Sequence, residues 1–251
     1  MYPILNIGPL AIQFPGLLII LGVYFSLMVA EKNSPRFGIK PGDISNLMFL
    51  YFLSTIILGR LVYIFQFPGI FFENPLSIIS INPNLVDFNN GLLFSIIVAY
   101  VFIQRKNLNS LKILDALLLP ALVFMLFFFL SQLASGNNYG KPTDLPWGIE
   151  LWGTARHPLQ IYYFIGTSAI IAWVIQLQKK IFPDGILFFR TSISFLLLIV
   201  FMDFFNGNPD NIYSNFNLIQ IIAWILLCIF IFLLYKINIS GSKNMDLQQD
   251  Q

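Results

Sequence analysis

Seven apolar stretches, separated by short polar connections, run through the chain from near its start to near its end. They cover about Phe14–Ala30, Ile44–Phe65, Gly91–Gln104, Ile113–Leu133, Pro158–Leu177, Gly185–Phe205 and Leu218–Tyr235. A helix needs about 20 mostly apolar residues to cross a ~30 Å hydrocarbon core, and six of the stretches reach or approach that length. The third, with about fourteen residues, calls for tilted neighbours or a locally thinned bilayer. The pattern predicts an all-α, polytopic membrane bundle of about seven transmembrane helices. Between the second and third stretches, "FPGIFFENPLSIISINPNLVDFNN" is rich in Pro and Asn, and its spacing predicts turns and a short interfacial helix.

Composition strengthens this reading. Of 251 residues, 57% are hydrophobic and 10% charged, against roughly 45–50% and about 25% in soluble domains; a water-soluble fold could not hide so much apolar surface. No Ser/Gly-rich linker divides the chain. We read a single integral membrane domain over residues 1–238 and a short polar cytoplasmic tail over 239–251, whose composition predicts disorder. No tandem repeat is visible, and the N-terminus lacks the basic region of a cleaved signal peptide, so the first span is expected to remain as an anchor.

Charge sets the orientation, because Lys and Arg near helix ends are retained on the cytoplasmic side. Ten basic residues fall on one face: Lys32, Arg36, Lys40, Arg105, Lys106, Lys112, Lys179, Lys180, Lys236 and Lys243. Only Lys141 and Arg156 fall on the other, with Arg60 and Arg190 inside predicted spans. The N-terminus is therefore expected outside and the C-terminus in the cytoplasm. A net charge of +2, so scattered, excludes a nucleic-acid binder. The lone cysteine, Cys228, excludes disulfides within the chain and is read as a small apolar core residue.

Each charge inside a bilayer, at about 2.5–3.5 kcal/mol on insertion scales, asks for a reason. Arg60, near the outer end of the second span, either snorkels to the headgroups or holds a lipid phosphate. Asp115 and Asp203 read as interfacial residues, and Arg190 as a partner of cytoplasmic lipid phosphates. The outer connection "SGNNYGKPTDLPWGIELWGTARHP" differs in kind. Its Gly, Pro and Asp spacing favours tight turns that bring backbone N–H groups close to an anion, and Trp147 and Trp152 suit the headgroup level. Arg156 and the only histidine, His157, precede Pro158 at the start of the fifth span, where a helix N-terminus attracts anions. A site for a phosphate-bearing headgroup follows, with His157 either an interfacial hydrogen-bonding group or a general base.

These residues resemble the bacterial prolipoprotein diacylglyceryl transferase family. "ARHPLQIYY" is similar to that family's Arg-His-Pro-Ser-Gln-Leu-Tyr-Glu motif through Arg156, His157, Pro158, Gln160 and Tyr162. "GNNYGKPTDLPWG" resembles the family's Gly-Cys-Cys-Tyr-Gly-Lys-Pro-Thr-Asp-Leu-Pro-Trp-Gly variant, with Asn137 and Asn138 replacing the cysteines. "LGRLVYIF" matches Gly-Gly-Arg-Ile-Gly-Tyr through Gly59, Arg60 and Tyr63, "IGPLAIQFPGLLIILG" resembles the family's N-terminal strand, and Gln220 falls where the family carries a Gln in its last helix. The resemblance implies a multi-pass protein of the bacterial cytoplasmic membrane that moves a diacylglyceryl group from phosphatidylglycerol to the lipobox cysteine of a prolipoprotein signal peptide, releasing glycerol phosphate. That chemistry needs a cation for the departing phosphate and a route to thiolate. It implies no metal or organic cofactor. Carried over residue by residue, it makes His157 and Arg156 catalytic candidates, and Arg60, Lys141, Gln160, Tyr162 and Gly140 lipid-binding ones.

The departures are as informative. Asn89 stands where the family has a histidine often given a catalytic role, Phe129 where it has a phosphatidylglycerol-binding arginine, Ile199 where it has a late arginine with Asp203 in the partner acid's place, and Pro15 where it has a tyrosine. Asparagine is no general base near neutral pH, and phenylalanine cannot pair with a phosphate. Three readings stay open: a divergent active transferase, a non-catalytic relative that binds lipid or lipoprotein, and an unrelated seven-helix transporter. The transporter reading lacks midplane charges or paired broken helices.

Overall fold

The computed structural model describes residues 4–7, 10–79, 85–207, 211–213 and 216–249. The elements run β1 (Ile4–Ile7), β2 (Leu10–Gln13), α1 (Phe14–Asn33), α2 (Pro41–Gln66), α3 (Pro68–Glu73), α4 (Phe88–Arg105), α5 (Ser110–Ser135), β3 (Ile149–Leu151), β4 (Thr154–Arg156), α6 (Leu159–Leu177), α7 (Ile186–Asp203), β5 (Asn211–Tyr213), β6 (Phe216–Asn217) and α8 (Leu218–Gln249). Seven helices, all but α3, are long and apolar enough to cross a membrane. The bundle is all-α, with three two-stranded antiparallel sheets among the described residues, one before α1 and two in connections, which hydrophobic periodicity alone does not reveal.

Helix ends follow from caps and prolines. Pro15 and Pro41 lie in the first turns of α1 and α2, where a missing N–H is tolerated. The Asn109 side chain accepts from the N–H groups of Leu111 and Lys112 at the start of α5. Asp87 caps α4, its carboxylate accepting from the Asn90 N–H at 3.0 Å. This cap lengthens the third span beyond its apolar stretch to 18 residues, about 27 Å of helix, so α4 crosses without special thinning. The Pro- and Asn-rich connection contains α3 and a 3₁₀ turn at Pro75–Ile79, as its spacing predicts. α8 continues to Gln249, past the membrane-crossing part that ends at Ile237, where the polar composition of the tail predicts disorder; its Lys, Met, Leu and Gln are good helix formers.

Small residues bring the helices together. The buried positions of α1 are Gly22, Ser26 and Ala30, one stripe at intervals of four. A Cβ on Gly22 would lie 2.7 Å from Phe127 Cβ of α5, and Ser26 donates to the Pro120 carbonyl of α5 at 3.0 Å. α2 and α4 meet at Gly59 and Gly91: a Cβ on Gly91 would sit 3.0 Å from Gly59 Cα, and beside them Thr55 donates to Ser95. In lipid, where apolar surface supplies no drive for helix association, such close approach is the main source of packing energy.

Asp115 is a buried helix clamp and not the interfacial residue that its sequence position indicates. It is 4% exposed, and its two oxygens accept from the N–H groups of Gly185 (2.6 Å) and Phe188 (2.7 Å), tying α5 to the first turn of α7. Arg190 finds a partner within the protein, its guanidinium 4.9 Å from the Phe182 ring centroid. Cys228 lies on the exposed face of α8 and not in the core.

Replacing Asp115 with Ala strips two amide groups of their acceptor. The expected loss is about 2–3 kcal/mol, read as a lowered unfolding midpoint in detergent, with Asp115→Asn losing less.

Candidate active site

At one end of the bundle, the α5–α6 connection, the start of α6 and the end of α7 converge on a backbone ladder. On one flank of the 139–143 segment, the Gly140 N–H donates to the His157 carbonyl (3.0 Å), the His157 N–H to the Lys141 carbonyl (3.0 Å) and the Thr143 N–H to the Ala155 carbonyl (2.9 Å). On the other, the Lys141 N–H donates to the Phe205 carbonyl (2.8 Å) and the Gly207 N–H to the Tyr139 carbonyl (3.0 Å). Only glycine fits at 140, where a Cβ would lie 2.5 Å from His157 Cβ and 2.6 Å from the His157 carbonyl oxygen. β3 and β4 extend the ladder, pairing Ile149 with Arg156 and Leu151 with Thr154. Trp152 (φ 56°) and Gly153 (φ 77°) make their tight turn, both left-handed as a two-residue hairpin requires.

This frame fixes a set of side chains. His157 Nδ1 lies 3.1 Å from the Tyr162 hydroxyl, which also accepts from Trp147 Nε1–H at 2.8 Å. The indole is a donor only, whereas the His157–Tyr162 bond runs in either direction according to the imidazole tautomer. Phe205 packs against the His157 ring at 5.1 Å between centroids. Arg156 donates through Nε to the Leu151 carbonyl (3.2 Å), makes a weak contact from Nη1 to the Gly140 carbonyl (3.5 Å), and lies 4.8 Å over the Tyr139 ring. Its Nη2 has no hydrogen-bond partner among the described residues. The exposed Lys141 donates from Nζ to the Phe204 carbonyl at 2.9 Å. The mouth thus combines an ordered imidazole, a guanidinium with spare donors and an ammonium on one rigid platform, a set suited to proton transfer beside an anion.

The match to known families is consistent with this platform. Residues 3–236 match the family described as prolipoprotein diacylglyceryl transferase.

The chain belongs to the prolipoprotein diacylglyceryl transferase family.

Among its relatives are proteins named phosphatidylglycerol–prolipoprotein diacylglyceryl transferase. One from Polynucleobacter asymbioticus is 30% identical over 82% of this chain and 82% of its own length. One from Aliivibrio salmonicida is 32% identical over 71% of this chain and 67% of its own, and one from Geobacter sulfurreducens is 28% identical over 82% and 81%. With seven spanning helices and this family, the chain is a multi-pass cell-membrane protein.

Not every site residue expected from the family resemblance lies at the mouth platform. Gln160 is 1% exposed and donates to the Asn137 carbonyl at 2.5 Å, holding the start of the loop from behind. Arg60 belongs to a separate assembly: it donates to the Leu85 carbonyl at 3.0 Å and to the Ser77 carbonyl, with its guanidinium 5.6 Å from the Phe71 ring centroid, and so pins the 67–90 connection. Asn89 is exposed in the first turn of α4, and the Pro15 carbonyl accepts from Ser131 at the start of α1. Phe129 and Ile199 meet in one apolar cluster with Leu159, Tyr163 and Met202, in which Phe129 stacks on Tyr163 at 4.8 Å and 9° between planes.

Sequence reading missed Phe205 and Gly207, whose contacts to the mouth depend on tertiary folding and carry no local signal. Trp147 was legible as an interfacial residue but not as the donor that orders Tyr162. Tyr139 lies within the quoted loop motif, and only the fold shows its ring under Arg156.

Gly140→Ala should force the loop off His157, lowering stability by about 1–3 kcal/mol and displacing the imidazole; unfolding midpoints and the His157 NMR signal check this. Nearby pH dependence centres on Asp87. The Asn90 backbone N–H, then the Asn90 side chain, hold its carboxyl below the ordinary carboxylate value, and Gln66 adds a further bond. Because the folded value is depressed, the contribution to stability is present above the unfolded value of 3.8 and is lost as pH falls through the folded one. Thermal unfolding from pH 6 down to pH 2 should therefore show a declining midpoint, with a shallower decline in Asp87→Asn.

Proposed function

We propose that this chain works at the outer membrane surface on the substrates named for its relatives, phosphatidylglycerol and prolipoprotein, and transfers a diacylglyceryl group to the cysteine of a signal peptide. The basic-residue bias supports this orientation, with the mouth outside and the C-terminus in the cytoplasm. The observation that carries the reading is the hydrogen-bonded series Trp147–Tyr162–His157 beside Arg156. With Nδ1–H donated to the phenol oxygen, Nε2 is the basic nitrogen. It takes the thiol proton as sulfur attacks the glyceryl carbon. The C–S bond forms, the C–O bond to phosphate breaks, and glycerol phosphate leaves with the electron pair. Arg156 Nη2 and Lys141 supply positive charge for that phosphate.

A second reading, binding of the same substrates without transfer, is favoured by the packed cluster at Phe129 and Ile199 and by Asn89. By family resemblance these positions carry two arginines and a histidine; phenylalanine and isoleucine cannot pair with phosphate, and asparagine is no base near neutral pH.

The test uses purified full-length protein in nanodiscs containing phosphatidylglycerol, with a lipobox peptide, and detects thioether lipid by mass spectrometry. His157→Ala should reduce product at least about a hundredfold, and Tyr162→Phe about tenfold by releasing the imidazole. No product at high protein concentration, together with peptide or lipid binding that Arg156→Gln abolishes, would establish the second reading.

A further inference from the structure

The opposite end of the bundle holds a second polar assembly. The 3₁₀ turn Ser34–Phe37, the start of α5 and the α6–α7 connection enclose a cavity of about 400 Å³, lined among others by Arg36, Lys112, Gln178, Lys179, Lys180 and Asp184. Its negative charge is already committed. Asp115, also on the wall, caps α7, and Asp184 lies 3.9 Å from Lys112 and accepts from the Asn109 side chain. Arg36 reaches across to the Gln178 carbonyl and ties the two walls. Among the described residues, Lys179 and Lys180 make no ion pair.

One group is left unsatisfied in this assembly. Gln178 is 6% exposed, and its side-chain N–H₂ is buried with no acceptor among the described residues. A buried donor without a partner costs about 1–3 kcal/mol, and here it stands among surplus cations, a setting that favours an anionic acceptor. Beside it, Ile181 is 101% exposed between Lys180 and Phe182, an apolar side chain that no protein surface covers, at the ends of membrane-crossing helices.

We infer that this cavity binds the phosphate of an anionic phospholipid in the leaflet opposite the mouth. Lys179 and Lys180 face the phosphate charge, the Gln178 amide donates to a phosphate oxygen, and Ile181 enters the glycerol and acyl region of the same lipid. Phosphate alone would meet the cations and the amide but leave Ile181 in water. The site lies at the other end of the bundle from His157 and is independent of whether the mouth turns over.

The test is native mass spectrometry of the full-length protein in detergent, titrated with dioleoyl phosphatidic acid. Lys179→Gln/Lys180→Gln, at positions whose side chains hold no described ion pair, should weaken one lipid-binding event at least about tenfold. Gln178→Leu should weaken the same event, and Arg156→Gln, at the mouth, should not. Dioleoyl phosphatidylcholine should fail to compete. Equal binding by wild type and the double lysine variant overturns the site. Displacement of the lipid by millimolar inorganic phosphate overturns the lipid and assigns the cavity to free phosphate. The thioether assay addresses only the mouth, so failure here and failure there are distinguishable.

Discussion

Close backbone approach at residues with small or absent side chains is the constraint from which the rest of this structure follows. A bilayer offers helices no hydrophobic incentive to associate, so contact energy comes from bringing main chains near enough for many atoms to touch. Gly22, Ser26 and Ala30 do this between α1 and α5, and Gly59 with Gly91 between α2 and α4. The same device builds the mouth: at Gly140 the loop lies against His157 on one side and Phe205 on the other. Helix packing and site geometry therefore share one origin: main-chain bonds fix the His157 backbone, and the Tyr162 hydroxyl and the Phe205 ring position the imidazole on it.

Charged groups are correspondingly concentrated toward the bundle ends, and several have structural work there, while the polar groups buried along the spans are mostly small hydroxyls such as Ser26, Thr55 and Ser95. Asp115 closes one end by capping α7, Asp87 begins α4, and Arg60 folds a long connection back onto α2. Spare polar capacity stands at both ends: donors on Arg156 at one, and Lys179, Lys180 and the Gln178 amide at the other.

The fold was largely legible because membrane spans are written in long apolar runs that tolerate small errors at their ends. The span starting at Gly91 looked too short only because the helix begins at Phe88 under a polar cap, and apolarity does not report a cap. Asp115 read as interfacial because sequence position says nothing of which helix end will face it. At the mouth, Arg156, His157 and Tyr162 were legible as a motif, since one short segment carries all three. Gln160 and Arg60 were legible as polar residues in a family pattern, but their carbonyl partners, Asn137, Ser77 and Leu85, are chosen by chain reversal and not by spacing. The strand pairs were invisible to periodicity because they are short; the one before α1 was legible only through the family's N-terminal strand.

The stack of Phe129 on Tyr163 also bears on how such a protein can change over generations. An arginine introduced at 129 by a single substitution would place a charge among the apolar side chains of Met125, Leu159, Phe195 and Ile199. Each neighbour, altered alone, would open a void beside an aromatic ring that nothing else supports. The cluster therefore works as a ratchet: any lineage carrying it reaches a charged arrangement only through several coordinated replacements, most of whose intermediates fold less well than either end point.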